Sequence, residues 1–210
     1  MTNTVDRRHL LKGVAAVGTA LAVPCVMPGK VFAQAFSPTT QQRRILDVAR
    51  DQVARVKGLW RTDLVGVADF GLPSSLPRLH FANLENGSVR SFLVAHGRGS
   101  DPEHDGFLKW FSNVEGSEAT SRGAYITYEW YTGKYGTSIR LGGVDPDNSN
   151  ALQRAIVIHP AWYAAPAMLD KWGKLGRSEG CFAMAPQDFN EALWHLSGGR
   201  LLYADRLGIA

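Results

Sequence analysis

The sequence predicts a mainly β fold, a sandwich or barrel with a few peripheral helices. Six or seven short segments are rich in β-branched and aromatic residues and are bounded by Gly, Pro, Asn or Asp, whereas only two or three segments show helical spacing. Strands and helices do not alternate regularly along the chain, which disfavours a parallel α/β fold. The sequence contains no internal repeat and no low-complexity tract.

The first predicted element is an amphipathic helix over residues 41–57, which places Ile45, Leu46 and Val53 on one face and arginines on the other. Residues 64–70 then predict a short strand. The segments that follow predict a hairpin, because the Asn-Gly pair within Glu85-Asn86-Gly87-Ser88 is a strong turn signal. Its two strands are residues 78–84 and 89–95.

The second half predicts further strands and a helix. Residues 96–118 are polar and glycine-rich, which indicates a long surface loop near a site. A helix over 186–196 begins at a proline and stops at Gly198-Gly199. Strands are predicted over 123–130, 138–141, 154–159 and 200–205.

The N-terminus predicts an export signal. Arg7-Arg8 begins a twin-arginine pattern, an apolar stretch runs from Gly13 to Met27, and Ala33-Gln34-Ala35 offers a cleavage site near Ala35. We therefore expect a twin-arginine signal at 1–35, a helical segment at 36–58 and the main domain at 59–210. The twin-arginine export machinery is an expected partner, and the expected location is the periplasm.

Charge and hydropathy argue against two partner classes. Residues 1–35 carry four basic residues and one acidic residue, so their removal lowers the net charge from +4 to +1. No Lys/Arg block remains, which disfavours nucleic acid as the main partner. The apolar stretch of about 15 residues is shorter than the ~20 of a membrane-spanning helix, so we expect no stable membrane anchor.

The second cysteine is the strongest candidate for chemistry. Cys25 lies in the signal, so Cys181 stands alone in an oxidising compartment and cannot form an intramolecular disulfide. A buried inert cysteine is the usual alternative. Cys181 instead follows Gly180 in a turn, and His159 ends a predicted strand. A thiol beside a histidine base, with the backbone amides of Gly180 and Cys181 as oxyanion donors, predicts acyl transfer through a thioester.

These residues carry a family resemblance. His159, a spacer and Ser178-Glu179-Gly180-Cys181 resemble the histidine and Ser/Thr-x-Gly-Cys signature of the murein L,D-transpeptidase catalytic-domain family, in particular its exported branch. Upstream motifs also resemble that branch, and together they cover about residues 60–205. They include Ala68-Asp69-Phe70-Gly71-Leu72-Pro73, Val94-Ala95-His96-Gly97-Arg98-Gly99-Ser100 and Arg154-Ala155-Ile156-Val157-Ile158-His159.

The resemblance implies a β-rich fold and acyl transfer on peptidoglycan stem peptides. Cys181 would attack the carbonyl of the third-position diamino acid, D-alanine would leave, and an amine or water would take the acyl group. His159 would act as the general base, Gly180 and Cys181 as oxyanion donors, and Ser178 would shape the turn.

The sequence departs from the family pattern beside the thiol. Many members have histidine where Glu179 stands, and a polar residue where Phe182 follows the cysteine. A carboxylate pointing inward would raise the thiol pKa, so we expect Glu179 to point to solvent or substrate. The interval of 22 positions from His159 to Cys181 also predicts a lengthened loop over 160–180.

Five further residues are candidates for substrate binding. Arg140 and Arg154 could bind carboxylates of a diamino acid or be strand-surface charges, and His96 could face the cleft or be a solvated loop residue. Tyr131 could line a groove or belong to the core. Arg177, in the cysteine motif, is also assigned to substrate binding. The acidic loop around His104 could suggest a metal site, but solvated side chains are the simpler interpretation, and we expect neither metal nor cofactor.

The sequence leaves several functions open. The chain could be a transpeptidase, an L,D-carboxypeptidase or another peptidase that uses water, because the acceptor depends on groove shape and water exclusion. Glu179, where many members have histidine, is also compatible with a murein-binding module whose catalytic site has decayed. The twin-arginine signal alone prompts a cofactor-bearing enzyme folded before export.

Overall fold

A capped helix opens the described part of the protein. The computed structural model describes residues 38–134 and 136–209, so the predicted signal and Cys25 lie outside the described residues. Helix α1 (Thr40–Arg55) begins at a capping box in which Thr39 and Gln42 exchange side-chain to backbone hydrogen bonds. Its buried residues are Ile45, Leu46 and Ala49. The predicted amphipathic helix is confirmed.

Eight strands form one sheet in the described chain, and its order is β3-β2-β1-β8-β4-β5-β6-β7. The β1/β8 and β6/β7 pairs are parallel, and the other pairs are antiparallel. Two more α-helices complete the described fold. The strands are β1 (Leu64–Asp69), β2 (Leu79–Asn83), β3 (Val89–Phe92), β4 (Gly123–Gly133), β5 (Gly136–Gly143), β6 (Val157–Pro160), β7 (Phe182–Met184) and β8 (Leu201–Asp205), and the helices are α2 (Ala167–Trp172) and α3 (Pro186–His195).

The two faces of the sheet carry separate hydrophobic clusters because alternate strand residues point to opposite sides. In β1, Val65 and Val67 pack with the apolar face of α1. Leu64 and Ala68 belong to the larger cluster on the other side, which contains Phe189 of α3. The prediction of a mainly β fold with a few helices is confirmed.

Several element boundaries differ from the predictions. Residues 154–156 precede β6, and Ala155 has a φ of 51°, so the predicted strand over 154–159 is shortened at its start. Strand β7 and helix α2 were not predicted. The predicted lengthened loop contains a short 3-10 helix (Trp162–Ala164) and α2. Across residues 38–134 and 136–209, no helix is long and apolar enough to span a bilayer.

Candidate functional site

The sheet brings Cys181 and His159 to one place. Strands β6 and β7 are parallel, with Ile158 opposite Phe182 and His159 opposite Ala183. Cys181 directly precedes Phe182, so it lies two register positions from His159 on the neighbouring strand. Neighbouring strands are about 4.8 Å apart and rise about 3.3 Å per residue, and residues two apart share a face. The two side chains therefore lie on the same face and line one cavity.

His159 is oriented as a base. Its side chain is buried, and Nδ1 lies 3.0 Å from the Pro160 carbonyl oxygen. A carbonyl oxygen only accepts hydrogen bonds, so Nδ1 carries the proton and Nε2 is the unprotonated nitrogen of the neutral ring. Burial lowers the pKa of His159, while the Pro160 hydrogen bond acts in the opposite direction. The ring is thus held neutral, as a general base requires.

The thiol of Cys181 is protonated in this arrangement. Only 6% of the residue is exposed, and burial raises the pKa of the thiol to about 11. A backbone hydrogen bond from Val157 and the charge of Arg154 lower this pKa, whereas the charge of Glu179 raises it. The Sγ lies 3.7 Å from the Ala155 carbonyl oxygen. Nucleophilic attack therefore requires a base that removes the thiol proton.

Ser178 closes the turn before the thiol. Its hydroxyl donates to the Cys181 carbonyl at 2.7 Å and accepts from the Gly180 amide at 3.2 Å. Gly180 has a φ of 112°, and a Cβ there would lie 2.8 Å from the Ala119 carbonyl oxygen, so glycine is required. The Gly180 amide already donates to the Ser178 hydroxyl, so its predicted oxyanion role would require this bond to be exchanged.

Two cavities meet at Cys181. The His159 cavity has a volume of about 170 Å³, and its lining residues are Arg98, His159, Tyr163, Arg177, Ser178, Glu179 and Cys181. The Arg154 cavity has a volume of about 490 Å³, and it is lined by Tyr131 and by acidic and basic residues. Its charged residues are Glu115, Glu118, Glu179, Lys134 and Arg154. Cys181 and Glu179 border both cavities, so the thiol can be approached from two sides.

The predicted substrate-binding arginines have different surroundings. Arg177 lines the His159 cavity, and its Nη1 donates to the carbonyls of Asp101 and Pro102. Arg154 is half-buried and holds the carbonyls of Ser112 and Ala119, so the interpretation as a strand-surface charge is wrong. Arg140 lies outside the lining of both cavities, where it pairs with Glu129 at 3.0 Å and stacks on the ring of Tyr131.

The prediction that His96 faces the cleft or solvent is wrong. The residue is 1% exposed and lies between Arg78 and Asp101, which are fully buried. The Arg78 Nη2 is 2.6 Å from Nδ1 of His96, and Nε2 is 3.3 Å from the Asp101 carboxylate. The sequence placed His96 and Asp101 in an exposed loop, but long-range partners such as Arg78 leave no local pattern that would reveal this burial.

Glu179 points outward, with 54% of its side chain exposed, and lies 3.9 Å from Arg98. We expect Glu179→Gln to lower the thiol pKa and to speed alkylation of Cys181 by iodoacetamide at pH 8 by about twofold, a small effect because solvent screens the charge. Glu115→Gln removes a carboxylate from the Arg154 cavity that is not among the groups shifting Cys181, and serves as the control. Slower alkylation in Glu179→Gln would contradict the expected sign.

Two buried histidines predict sensitivity to acid. Burial lowers the pKa of His80 to about 4 and holds the pKa of His96 well below its ordinary value. Below pH 6.5 these histidines bind protons in the unfolded chain but stay neutral in the folded protein. Their contribution to the free energy of unfolding is therefore fully present above pH 6.5, and it is lost as the pH falls toward their folded-state pKa values. At pH 5 the two residues together lower the free energy of unfolding by roughly 4 kcal/mol.

Urea unfolding at pH 8, 7 and 5 measures this loss. We expect little change between pH 8 and 7 and a marked fall at pH 5, and His80→Gln should remove about half of the dependence. An equal free energy of unfolding at pH 7 and 5 would show that neither histidine is held neutral.

The fold places a thiol, directly before β7, and a neutral histidine of β6 on the same face of a mainly β protein, where both line one cavity. Residues 39–204 match the family model of the L,D-transpeptidase catalytic domain. The chain belongs to this family. No curated protein matches the sequence.

Several solved L,D-transpeptidases are similar to part of this chain. L,D-transpeptidase 3 from Mycobacterium tuberculosis is 14% identical, with 68% of this chain and 61% of that chain covered and a TM-score of 0.44. An L,D-transpeptidase from Mycobacterium smegmatis is 15% identical, with 68% and 58% covered and a TM-score of 0.42. One from Xylanimonas cellulosilytica is 15% identical, with 76% and 68% covered and a TM-score of 0.41. The chain spans about three fifths of the two mycobacterial chains.

Proposed function

We propose that this protein is an exported L,D-transpeptidase that acts on peptidoglycan stem peptides through a thioester on Cys181. The observation that carries the proposal is the shared cavity of a buried thiol and a histidine whose Nε2 is unprotonated. The membership of the L,D-transpeptidase catalytic-domain family supports the substrate class. Arg7-Arg8 and the apolar stretch after them support twin-arginine export to the periplasm, with cleavage near Ala35.

In the first half of the proposed reaction, His159 Nε2 takes the thiol proton while Sγ attacks the carbonyl carbon of the third stem residue. The Cys181 amide stabilises the oxyanion. The carbon–nitrogen bond to D-alanine then breaks, and His159 returns the proton to the leaving amine. The product is a thioester, and His159 is neutral again.

In the second half, an amine of another stem peptide attacks the thioester carbonyl. His159 accepts a proton from the attacking nitrogen, the carbon–sulfur bond breaks, and the thiol recovers its proton. The two cavities at Cys181 suit such a reaction, because donor and acceptor must each reach the same sulfur.

Arg177 is the substrate-binding candidate that the geometry favours most. Within the described chain its hydrogen bonds all start from Nη1, so Nη2 and Nε are available to a carboxylate. Tyr131 and Arg154 line the other cavity and are candidates for contacts there.

Incubation with disaccharide-tetrapeptides and mass spectrometry of protein and products tests the proposal. We expect a Cys181-linked acyl adduct, release of D-alanine, and cross-linked dimers, with none of these in Cys181→Ala. Tripeptide without dimer would instead indicate a carboxypeptidase. Folded, reduced protein that gives neither adduct nor product would support a murein-binding module.

A further inference from the structure

A buried polar chain lies behind the active-site turn. Arg78, His96 and Asp101 are each at most 1% exposed and are joined by the two hydrogen bonds through the His96 ring. A guanidinium only donates, so Nδ1 of His96 accepts and Nε2 carries the proton toward the Asp101 carboxylate. A neutral ring therefore connects a buried cation to a buried anion.

The buried polar chain is fixed in place at both ends. Arg78 also donates to the carbonyls of Val94 at 3.1 Å and Leu72 at 2.9 Å. The Asp101 carboxylate accepts from the amides of Asp105 and Gly106, each at 3.0 Å. A buried charge that loses its partner is strongly unfavourable, so these groups permit one arrangement of the backbone around residue 96.

This backbone holds Ser178 on both sides. The His96 carbonyl accepts from the Ser178 amide at 2.9 Å, and the Arg98 amide donates to the Ser178 carbonyl at 2.8 Å. The Ser178 hydroxyl then bonds to Gly180 and Cys181. Hydrogen bonds therefore connect the backbone beside the buried polar chain to the backbone of the turn that carries Cys181.

A second branch leads to the substrate side of the cavity. The Asp101 carbonyl accepts from Arg177, whose guanidinium lines the His159 cavity. Gly106, held by the Asp101 carboxylate, accepts from the Ser74 amide at 2.8 Å, and the Ser74 hydroxyl accepts from the Leu175 amide at 3.2 Å. Asp101 thus supports the segment before the turn at two points.

We propose that Arg78, His96 and Asp101 are positioning residues for acyl transfer, which set the Cys181 thiol and the Arg177 guanidinium relative to His159 without touching substrate. The inference rests on the proposed function. Acyl transfer needs reacting groups placed within about 0.5 Å, and a misplacement near 1 Å costs about 100-fold in rate. A network of buried charges supplies the fixed geometry that apolar packing alone does not specify.

The Asp101→Asn variant tests this inference. The substitution keeps the size of the side chain but replaces one carboxylate oxygen by an NH2 group, which can only donate. His96 and the two backbone amides then share a single acceptor oxygen. We expect the rate constant of Cys181 acylation at saturating tetrapeptide to fall about 10–100-fold at a temperature where the variant is folded. Asp105→Asn is the matched control: the same change in the same loop at an exposed carboxylate that binds Lys109, expected to remain within about twofold of wild type.

The pH dependence of iodoacetamide alkylation provides a second measurement, because a loss of core stability alone would not shift it. If the turn shifts in Asp101→Asn, the hydrogen bond from Val157 to the sulfur weakens, and the alkylation curve moves to higher pH while Asp105→Asn retains the wild-type curve. Should Asp101→Asn fail to fold, His96→Gln, whose amide can still donate toward Asp101, is measured in the same way.

The outcomes separate the inference from the proposed function. A lowered melting temperature with wild-type acylation and alkylation in the folded variant would overturn the positioning role. If wild type itself forms no acyl adduct, the proposed function fails, and the alkylation curves alone decide whether the buried polar chain positions the thiol.

Discussion

Replacing Cys181 by alanine is expected to abolish acyl transfer from tetrapeptide donors, with a loss of at least about 10⁴-fold relative to wild type. The sulfur is the atom that would bond to the acyl carbon, and in the described chain it is the one cysteine. Water admitted to the His159 cavity lacks the fixed position and nucleophilicity of the thiol. Intact-protein mass spectrometry should show no adduct, and D-alanine release should fall to the background rate.

Cys181→Ser separates the chemistry from the packing. A serine hydroxyl nearly matches the thiol in size, and its weaker acidity and nucleophilicity should leave the variant about as inactive as alanine. Since the residue is buried, both melting temperatures should be measured, and both variants should retain the folded β-sheet signal in circular dichroism. Wild-type D-alanine release by either variant would exclude a thioester on Cys181.

Local patterns in the sequence predicted the elements that lead to the site. The apolar spacing of Ile45 and Leu46 predicted α1, the Asn-Gly pair predicted the hairpin of β2 and β3, and the proline at residue 186 predicted the start of α3. These signals act within a few residues, which is why they can be read without the fold. His159 was likewise expected to end a strand, and in the structure it is the penultimate residue of β6.

The missed features depend on distant partners. Strand β7 has three residues, too few for a pattern, and is defined by pairing with β6. Asp69 is buried because its carboxylate accepts from the backbone amides of residues 207–209, about 140 positions away. Arg78 forms a hydrogen bond with His96, which lies 18 positions further along the chain. An arginine that pairs in the core has the same local sequence signature as one on the surface.

Substituting His159 by alanine is expected to slow acylation of Cys181 by about 10³–10⁴-fold at pH 7. Without the base, the reaction depends on the fraction of thiolate, which is about 10⁻⁴ at pH 7 for a thiol with a pKa of about 11. His195→Ala, which removes an exposed histidine of α3, is the control and should retain wild-type rates. Single-turnover acylation by tetrapeptide measures both.

The dependence on pH distinguishes the two routes to a thiolate. In wild type the acid limb should lie below pH 6.5, because burial lowers the pKa of His159 and the neutral base persists there. In His159→Ala the rate should instead rise tenfold per pH unit up to about pH 11, so the defect shrinks as the pH increases. A wild-type profile for His159→Ala would remove this histidine from the mechanism.

The same profile tests whether the resting site holds an ion pair. A preformed thiolate–imidazolium pair needs a thiol pKa below that of the histidine. Here burial raises the pKa of Cys181 and lowers that of His159, so each shift favours the neutral form. Proton transfer to His159 should therefore accompany attack on the substrate, and acylation should show a solvent isotope effect that alkylation of preformed thiolate lacks. No isotope effect, together with rapid alkylation at pH 6, would establish the ion pair instead.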